Sequence, residues 1–262
     1  MSKAQGALEY LLLIGGAIVV AAVVVTLVLN VSSTGGGGAK TAAYQLQVKQ
    51  LMTTKNIEGY WKFDEGSGQY AYGQILGRDL SNTQNQPPWQ QGKFGSSINC
   101  SQSYYHFGPT NGNNRPALGS DWTISAWFNY PINGSQPSSG FNVLIHTQLG
   151  TPSNVAPIAV NYASKHLGAR NITTGAFIDS GFDMSTLGAG WHHIAASGSG
   201  TSTSFYIDGN PAGSPITFKP TGQIVQACST NNGDSQWANA IDELIIFNRA
   251  LGANEIRGLA IG

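Results

Sequence analysis

The sequence predicts an all-β, two-sheet sandwich carried behind one long apolar α-helix. Three observations predict it. Tyr10 to Leu29 holds twenty consecutive residues without a charge. Four consecutive glycines, Gly35–Gly38, follow. From Ile57 onward, short apolar or alternating runs are separated by clusters of Gly, Asn, Pro and Ser, as strands are by turns.

The helix comes first. At about 1.5 Å rise per residue the uncharged run spans roughly 30 Å, the thickness of a bilayer core. Lys3 precedes it with no acidic residue ahead, so residues after Asn30 are placed outside the membrane. Glu9 stands at the entrance to the run. A carboxylate there is costly unless it finds a partner. Three readings fit the segment: a cleaved secretory signal, a plain membrane anchor with Glu9 reaching the headgroups, or a helix retained after cleavage of a short leader.

The glycine run predicts a flexible hinge, because glycine disfavours helical order. Ala39 to Asn56 reads as a stalk, either helical (Ala43, Leu46, Gln50) or extended (Tyr44, Leu46, Val48). Strands follow at Gly59–Phe63, Thr123–Phe128, Val143–His146, His193–Ser197, Ser204–Ile207 and Glu243–Phe247, with a short helix or turn at Ala253–Ile256. Residues 57–262 should fold as a unit.

Composition narrows the function. The 262 residues carry no net charge and only 10% are charged. No basic patch is present, which excludes nucleic acid as a partner. A neutral, hydroxyl-rich surface suits an extracellular, glycosylated β-protein. Four Asn-x-Ser/Thr sequons occur, at Asn30, Asn99, Asn133 and Asn171. Asn133 and Asn171 lie in turn-like surroundings and are the better acceptors; Asn30 lies close to the membrane. Cys100 and Cys228 show no zinc spacing and are assigned to one disulfide, with two buried thiols as the alternative.

The N-terminus resembles the class III signal peptides of archaeal type IV pilin-like proteins. The basic lead, the small Ala4, Gln5, Glu9 and the uninterrupted apolar run all fall in register. Many members have Gly where this chain has Ala4. The resemblance implies a signal peptide at residues 1–4, cleavage between Ala4 and Gln5, and a pilin helix over 5–31, with a hinge and stalk over 32–56. The new α-amino group of Gln5 would be mostly cationic at neutral pH and could pair with Glu9 in filament assembly.

The remainder resembles the laminin-G-like, concanavalin A-like jelly roll. The resemblance rests on Gly59–Gly68, Gly92–Ile98, Trp122–Phe128, Gly190–Ala196, Phe205–Gly209 and Ile241–Leu251. It implies a module that binds glycans or proteins, often with calcium. Asp79 is the nearest match to the family's calcium aspartate; no other cofactor is implied. Trp61, Trp127 and Trp191 are assigned to the core. Trp89, Tyr104, Tyr105 and Trp237 lie in polar, loop-like context and are candidates for stacking on sugars. The adjacent His192 and His193 point to opposite faces of a strand, so they cannot share a metal.

Family members with glycosidase activity carry Glu-x-Asp-x-x-Glu on one strand. The nearest acidic cluster is Asp242-Glu243, whose side chains should face opposite ways in a regular strand. The chain is therefore expected not to be an enzyme. The two resemblances together imply a structural subunit of an archaeal surface pilus. It would start as a membrane-inserted precursor, be cut by a prepilin peptidase, and pass through pilus assembly machinery into an extracellular homopolymeric filament. Its head would meet carbohydrate or a surface glycoprotein. The alternative is a monomeric lectin, membrane-anchored or secreted.

Overall fold

A computed structural model describes residues 36–53, 56–82, 89–101, 105–107, 115–132, 137–150, 152–230, 236–237 and 239–262. The pilin helix at 5–31, Ala4, Gln5, Glu9, Asn30, Tyr104 and Asn133 lie outside the described residues. No helix among the described residues is long and apolar enough to cross a membrane. The chain divides into two compact units, Met1–Leu46 with Gly262, and Gln47–Ile261.

Helix α1 runs Gly36–Met52. This corrects the hinge reading, since Gly36, Gly37 and Gly38 open a helix. Each glycine costs about 1 kcal/mol relative to alanine inside a helix. Here the three occupy the first turn, and a run rich in good helix formers, Ala39 to Met52, follows.

The second unit is a sandwich. The first sheet has eight strands among the described residues: β1 (Ile57–Trp61), β4 (Trp89–Gln91), β5 (Ser96–Asn99), β8 (Trp122–Tyr130), β13 (Gly190–Ser199), β14 (Ser202–Ile207), β15 (Asn210–Pro211) and β17 (Ala240–Phe247). Their order is β15-β14-β13-β8-β17-β5-β4, with β1 also paired to β17. The second has nine: β2 (Tyr70–Ala71), β3 (Leu80–Asn82), β6 (Tyr105–Phe107), β7 (Ala117–Leu118), β9 (Phe141–Gln148), β10 (Val155–Asn161), β11 (His166–Asn171), β12 (Phe177–Asp183) and β16 (Gly222–Ala227). Their order is β12-β11-β10-β9-β16-β6-β3-β2, with β7 also paired to β16.

The strands form where the sequence alternates. On β8, Trp122, Ile124, Ala126 and Phe128 join the core between the sheets. They meet Leu144 of β9, Ile158 of β10 and Leu167 of β11. Turn chemistry sets the hairpins. Asp208-Gly209 links β14 to β15 with both residues at positive φ, 48° and 75°, the two-residue hairpin that Asp-Gly favours. A Cβ at Gly209 would also lie 2.9 Å from Arg257 Cα. The closing helix α2 (Ala253–Leu259) forms where a helix or turn was expected, with Glu255 gripped by Arg249 at 2.6 and 2.9 Å.

Cys100 and Cys228 are joined, with Cα atoms 5.3 Å apart and a sequence separation of 128. Cys100 follows β5 and Cys228 follows β16, so the bridge links the two sheets.

Candidate functional site

The two sheets differ in what their outer faces offer. On the eight-stranded sheet, Thr123, Ser125, Trp127, His193, Asp242 and Glu243 are all buried. His193 Nε2 lies 2.8 Å from Ser125 Oγ, and burial pulls its pKa down to about 3. His192, half-buried, turns to Asp208 at 2.7 Å, so the two histidines do diverge. Trp61 and Trp127 are buried as expected, whereas Trp191 is only half-buried at the start of β13.

Asp242 and Glu243 require a correction. Their flanking residues Ile241 and Leu244 both point into the core. Strand β17 shifts register between Asp242 and Ile245, and Glu243 has φ 50°. Such a bulge puts two successive side chains on one face. Asp242 accepts from Phe94 N and Glu243 N, both at 2.9 Å. Glu243 accepts from the Tyr60 hydroxyl. Burial raises the Asp242 pKa to about 9 despite its two backbone donors, so it is protonated at neutral pH.

The nine-stranded sheet presents a continuous row on its outer face. Tyr70 of β2 pairs with Ser81 of β3, Ser81 with His106 of β6, and His106 with Gln226 of β16. Gln226 pairs with His146 of β9. Thr147 of β9 pairs with Val155 of β10, and the ladder shifts register between Val155 and Ile158, so Ala156 continues the row at the level of His146. Ala156 pairs with Arg170 of β11, and Arg170 with Phe177 of β12. The neighbours Ala71, Leu80, Tyr105, Ala227, Ile145 and Ala169 all face the core, so alternation turns the row outward. At about 4.8 Å per strand the eight positions span roughly 34 Å.

The centre of the row is buried and its ends are open. His146 Nε2 lies 2.7 Å from Asn154 Oδ1, and Nδ1 lies 3.1 Å from the Gln226 side-chain amide. Burial lowers the His146 pKa, and burial with Arg115 and His146 lowers that of His106. Both rings are therefore neutral at neutral pH. One end carries Tyr70 and Tyr72, 48% and 54% exposed, with ring centroids 6.4 Å apart and planes within 24°. Half-buried Ser81 and His106 stand beside them. The other end carries half-buried Arg170, Phe177 and Phe141. An aromatic plane next to neutral donor–acceptor groups can stack on a sugar ring and bond its hydroxyls.

The sugar-stacking candidates fare differently. Tyr105 and Trp237 are fully buried core residues, which corrects that reading. Tyr105 alternates with His106 and so points inward. Trp237 packs edge-on to Phe128 at 5.6 Å. Trp89 is a half-buried rim cover whose Nε1–H donates to Gly68 O at 3.0 Å. Tyr70 and Tyr72 were missed, although their spacing around a small Ala71 is the mark of an outward strand face. Asp79 Oδ1 accepts from Gly73 N at 3.0 Å and closes its loop. Among the described residues no group of three or more His, Cys, Asp or Glu could hold a metal, and Asp79 belongs to no such group. Asn99 is bonded on both sides, to Gln90 Oε1 at 2.9 Å and from Ser101 N at 2.8 Å. Asn171 accepts from Thr174 N at 3.1 Å in the β11–β12 turn.

Comparison with known proteins agrees with this architecture. Residues 2–28 match the class III signal peptide, which marks a secreted or membrane-inserted precursor with an extracellular domain. Residues 102–257 match the Concanavalin A-like lectin/glucanases superfamily. No curated protein matches the chain. A Trypanosoma rangeli sialidase superposes with TM-score 0.53 and 15% identity, over 79% of this chain and 33% of the sialidase. This chain thus spans about a third of that enzyme. Domain 4 of a GH43 extracellular arabinanase from Geobacillus stearothermophilus, solved with arabinotriose, superposes with TM-score 0.55 and 16% identity, over 78% of this chain and 98% of that domain.

These likenesses establish the fold, and they overturn the expectation that the chain is not an enzyme. That exclusion rested in part on acidic side chains facing opposite ways, which the bulge at Glu243 contradicts. Chains of glycosidases also contain this fold, so the architecture does not separate binding from turnover. On the match over residues 102–257 and the two-sheet architecture, the chain belongs to the Concanavalin A-like lectin/glucanases superfamily.

Proposed function

We propose that the protein is a subunit of a type IV-like surface filament, as in archaea, whose jelly-roll head binds carbohydrate or a surface glycoprotein. The observation that carries this is the class III signal over residues 2–28 ahead of a lectin-like domain over 102–257. A signal of this class is cut ahead of the apolar helix, so the helix stays on the mature protein. Prepilin peptidase is the partner that the cut requires, and the pilus machinery the one that assembly requires. The retained helix packs with its copies, and Glu9 pairs with the Gln5 amine to set the register. The arabinanase domain solved with arabinotriose supports a carbohydrate role for a head of this shape. The open end of the row, Tyr70, Tyr72, Ser81 and His106, is the contact surface. Repetition along a filament raises apparent affinity by roughly 10²–10⁴ where geometry permits. Of the described sequons, Asn171 in the β11–β12 turn is the better glycan acceptor, because the Asn99 side-chain nitrogen is already engaged by Gln90.

The test is the surface fraction sheared from cells. The mature N-terminus should be Gln5, and Glu9→Gln should lower filament mass while the head keeps its β-sheet circular dichroism. Met1 or Ser2 at the mature N-terminus would instead identify a monomeric anchored lectin, and a residue near Thr34 a secreted one. Filament mass unchanged by Glu9→Gln would remove the role assigned to that carboxylate.

A further inference from the structure

The far end of the row differs in chemistry from the tyrosine end. Arg170 lies with its guanidinium carbon 4.3 Å from the centre of the Phe141 ring. Phe141 and Phe177 pack with ring centres 5.3 Å apart. Val143, Ala156 and Ala159 form the buried apolar floor, and Ile172 and Phe177 pack against it. Arg170 has no ion pair or hydrogen bond with any described side chain, and its Nε is buried without a partner. Burial also depresses its pKa. The carboxylates of the adjacent strand are already engaged. Asp179 faces His166 at 2.7 Å, and Asp183 accepts from Ser185 N at 2.8 Å. A guanidinium set over an aromatic ring, with its terminal N–H groups not engaged by any described residue, is arranged to take an anion end-on.

We infer that Arg170, with Phe141 and Phe177, forms an anionic-sugar subsite on the outer face of the nine-stranded sheet. Its ligand is a saccharide bearing a carboxylate or a sulfate. The two Nη groups bond the anion as a fork while the Phe177 ring meets the apolar side of the sugar. The neutral groups at the tyrosine end contact uncharged sugar hydroxyls. The inference rests on the carbohydrate reading of this same face and deepens it to a ligand class.

The test uses the full-length protein in detergent micelles on an array of neutral, uronate-bearing and sulfated oligosaccharides of matched backbone. Anionic members should bind more tightly than neutral ones, with a preference that falls as salt rises. Arg170→Gln should lower affinity for the anionic members by about tenfold or more and leave the neutral ones unchanged. Arg170→Lys keeps the charge but not the planar fork, so it should recover only part of the loss. The uronate and sulfate arms decide which anion is preferred. Equal binding of neutral and anionic members by the wild type overturns the subsite and leaves the carbohydrate reading standing. A preference that survives Arg170→Gln assigns it to another cation and also overturns the subsite. Binding of no saccharide overturns both. If Arg170→Gln does not fold, the salt dependence of the wild-type preference and the Arg170→Lys variant decide the question.

Discussion

Replacing Cys100 and Cys228 with alanine is expected to lower the stability of the head by about 5 kcal/mol, the chain-entropy value for a loop of this length. The bridge closes 128 residues of sequence and joins the end of β5 to the end of β16, one from each sheet. Without it the unfolded chain regains the freedom of that loop. Both cysteines are also fully buried, so their removal costs packing as well. Neighbouring backbone bonds, Cys100 N to Asn239 O at 3.0 Å and Cys228 N to Leu144 O at 2.8 Å, should survive and keep the fold itself intact. The melting temperature of the double variant should fall by roughly 10–20 °C for a domain of this size. Thermal unfolding of wild type and variant without reductant measures this. Titration of denatured wild type should find no free thiol; two reactive thiols would contradict the bridge.

Stability should also depend on pH through two buried groups on the outer face of the eight-stranded sheet. His193 titrates near 3 in the folded state against an ordinary 6.5. The unfolded chain binds the extra proton between those values, so stability is lost as pH falls from 6.5 toward 3. Asp242 titrates near 9 against an ordinary 3.8. Here the folded chain holds the extra proton, so stability is lost as pH rises from about 4 toward 9. Between about 4 and 6.5 the slopes of these two groups oppose each other. Above that window only the Asp242 slope remains, at most about 1.4 kcal/mol per pH unit. Denaturant unfolding should therefore show a decline from pH 6.5 to 9, and the lowered His146 and His106 add a loss of stability as pH falls below 6.5. Asp242→Asn should flatten that decline even though it forfeits one of the two backbone bonds. A decline that persists in Asp242→Asn would assign the effect to other groups.

What the sequence shows is what local pattern encodes. The strands at β1, β8, β9, β13, β14 and β17 lie where alternation and turn residues placed them. The Cys100–Cys228 pair also follows from the sequence, because two cysteines allow one intramolecular bridge. Three features were not legible. Gly36–Gly38 favour disorder locally, yet they begin α1, because the segment that follows outweighs them. Glu243 joins Asp242 on one face through a single bulge, which no alternation rule predicts. Tyr105 reads as polar loop context, but its register against β3 and β16 turns it inward and His106 outward. The row from Tyr70 to Phe177 draws on eight strands, and His146 and Gln226 are 80 residues apart. Only cross-strand register brings such residues together.

The claim that the open tyrosine end of the outer row on the nine-stranded sheet is the carbohydrate contact is tested most directly by backbone amide hydrogen exchange. The full-length protein in detergent micelles is compared with and without a saturating oligosaccharide chosen from the array. The account predicts slowed exchange in β2, β3 and β6. It also predicts that joint Tyr70→Ala and Tyr72→Ala substitution abolishes that protection and weakens binding by about tenfold, while the exposed tyrosines leave the fold unchanged when removed. Protection confined to β13, β14 and β15, or full affinity in the double tyrosine variant, would contradict it.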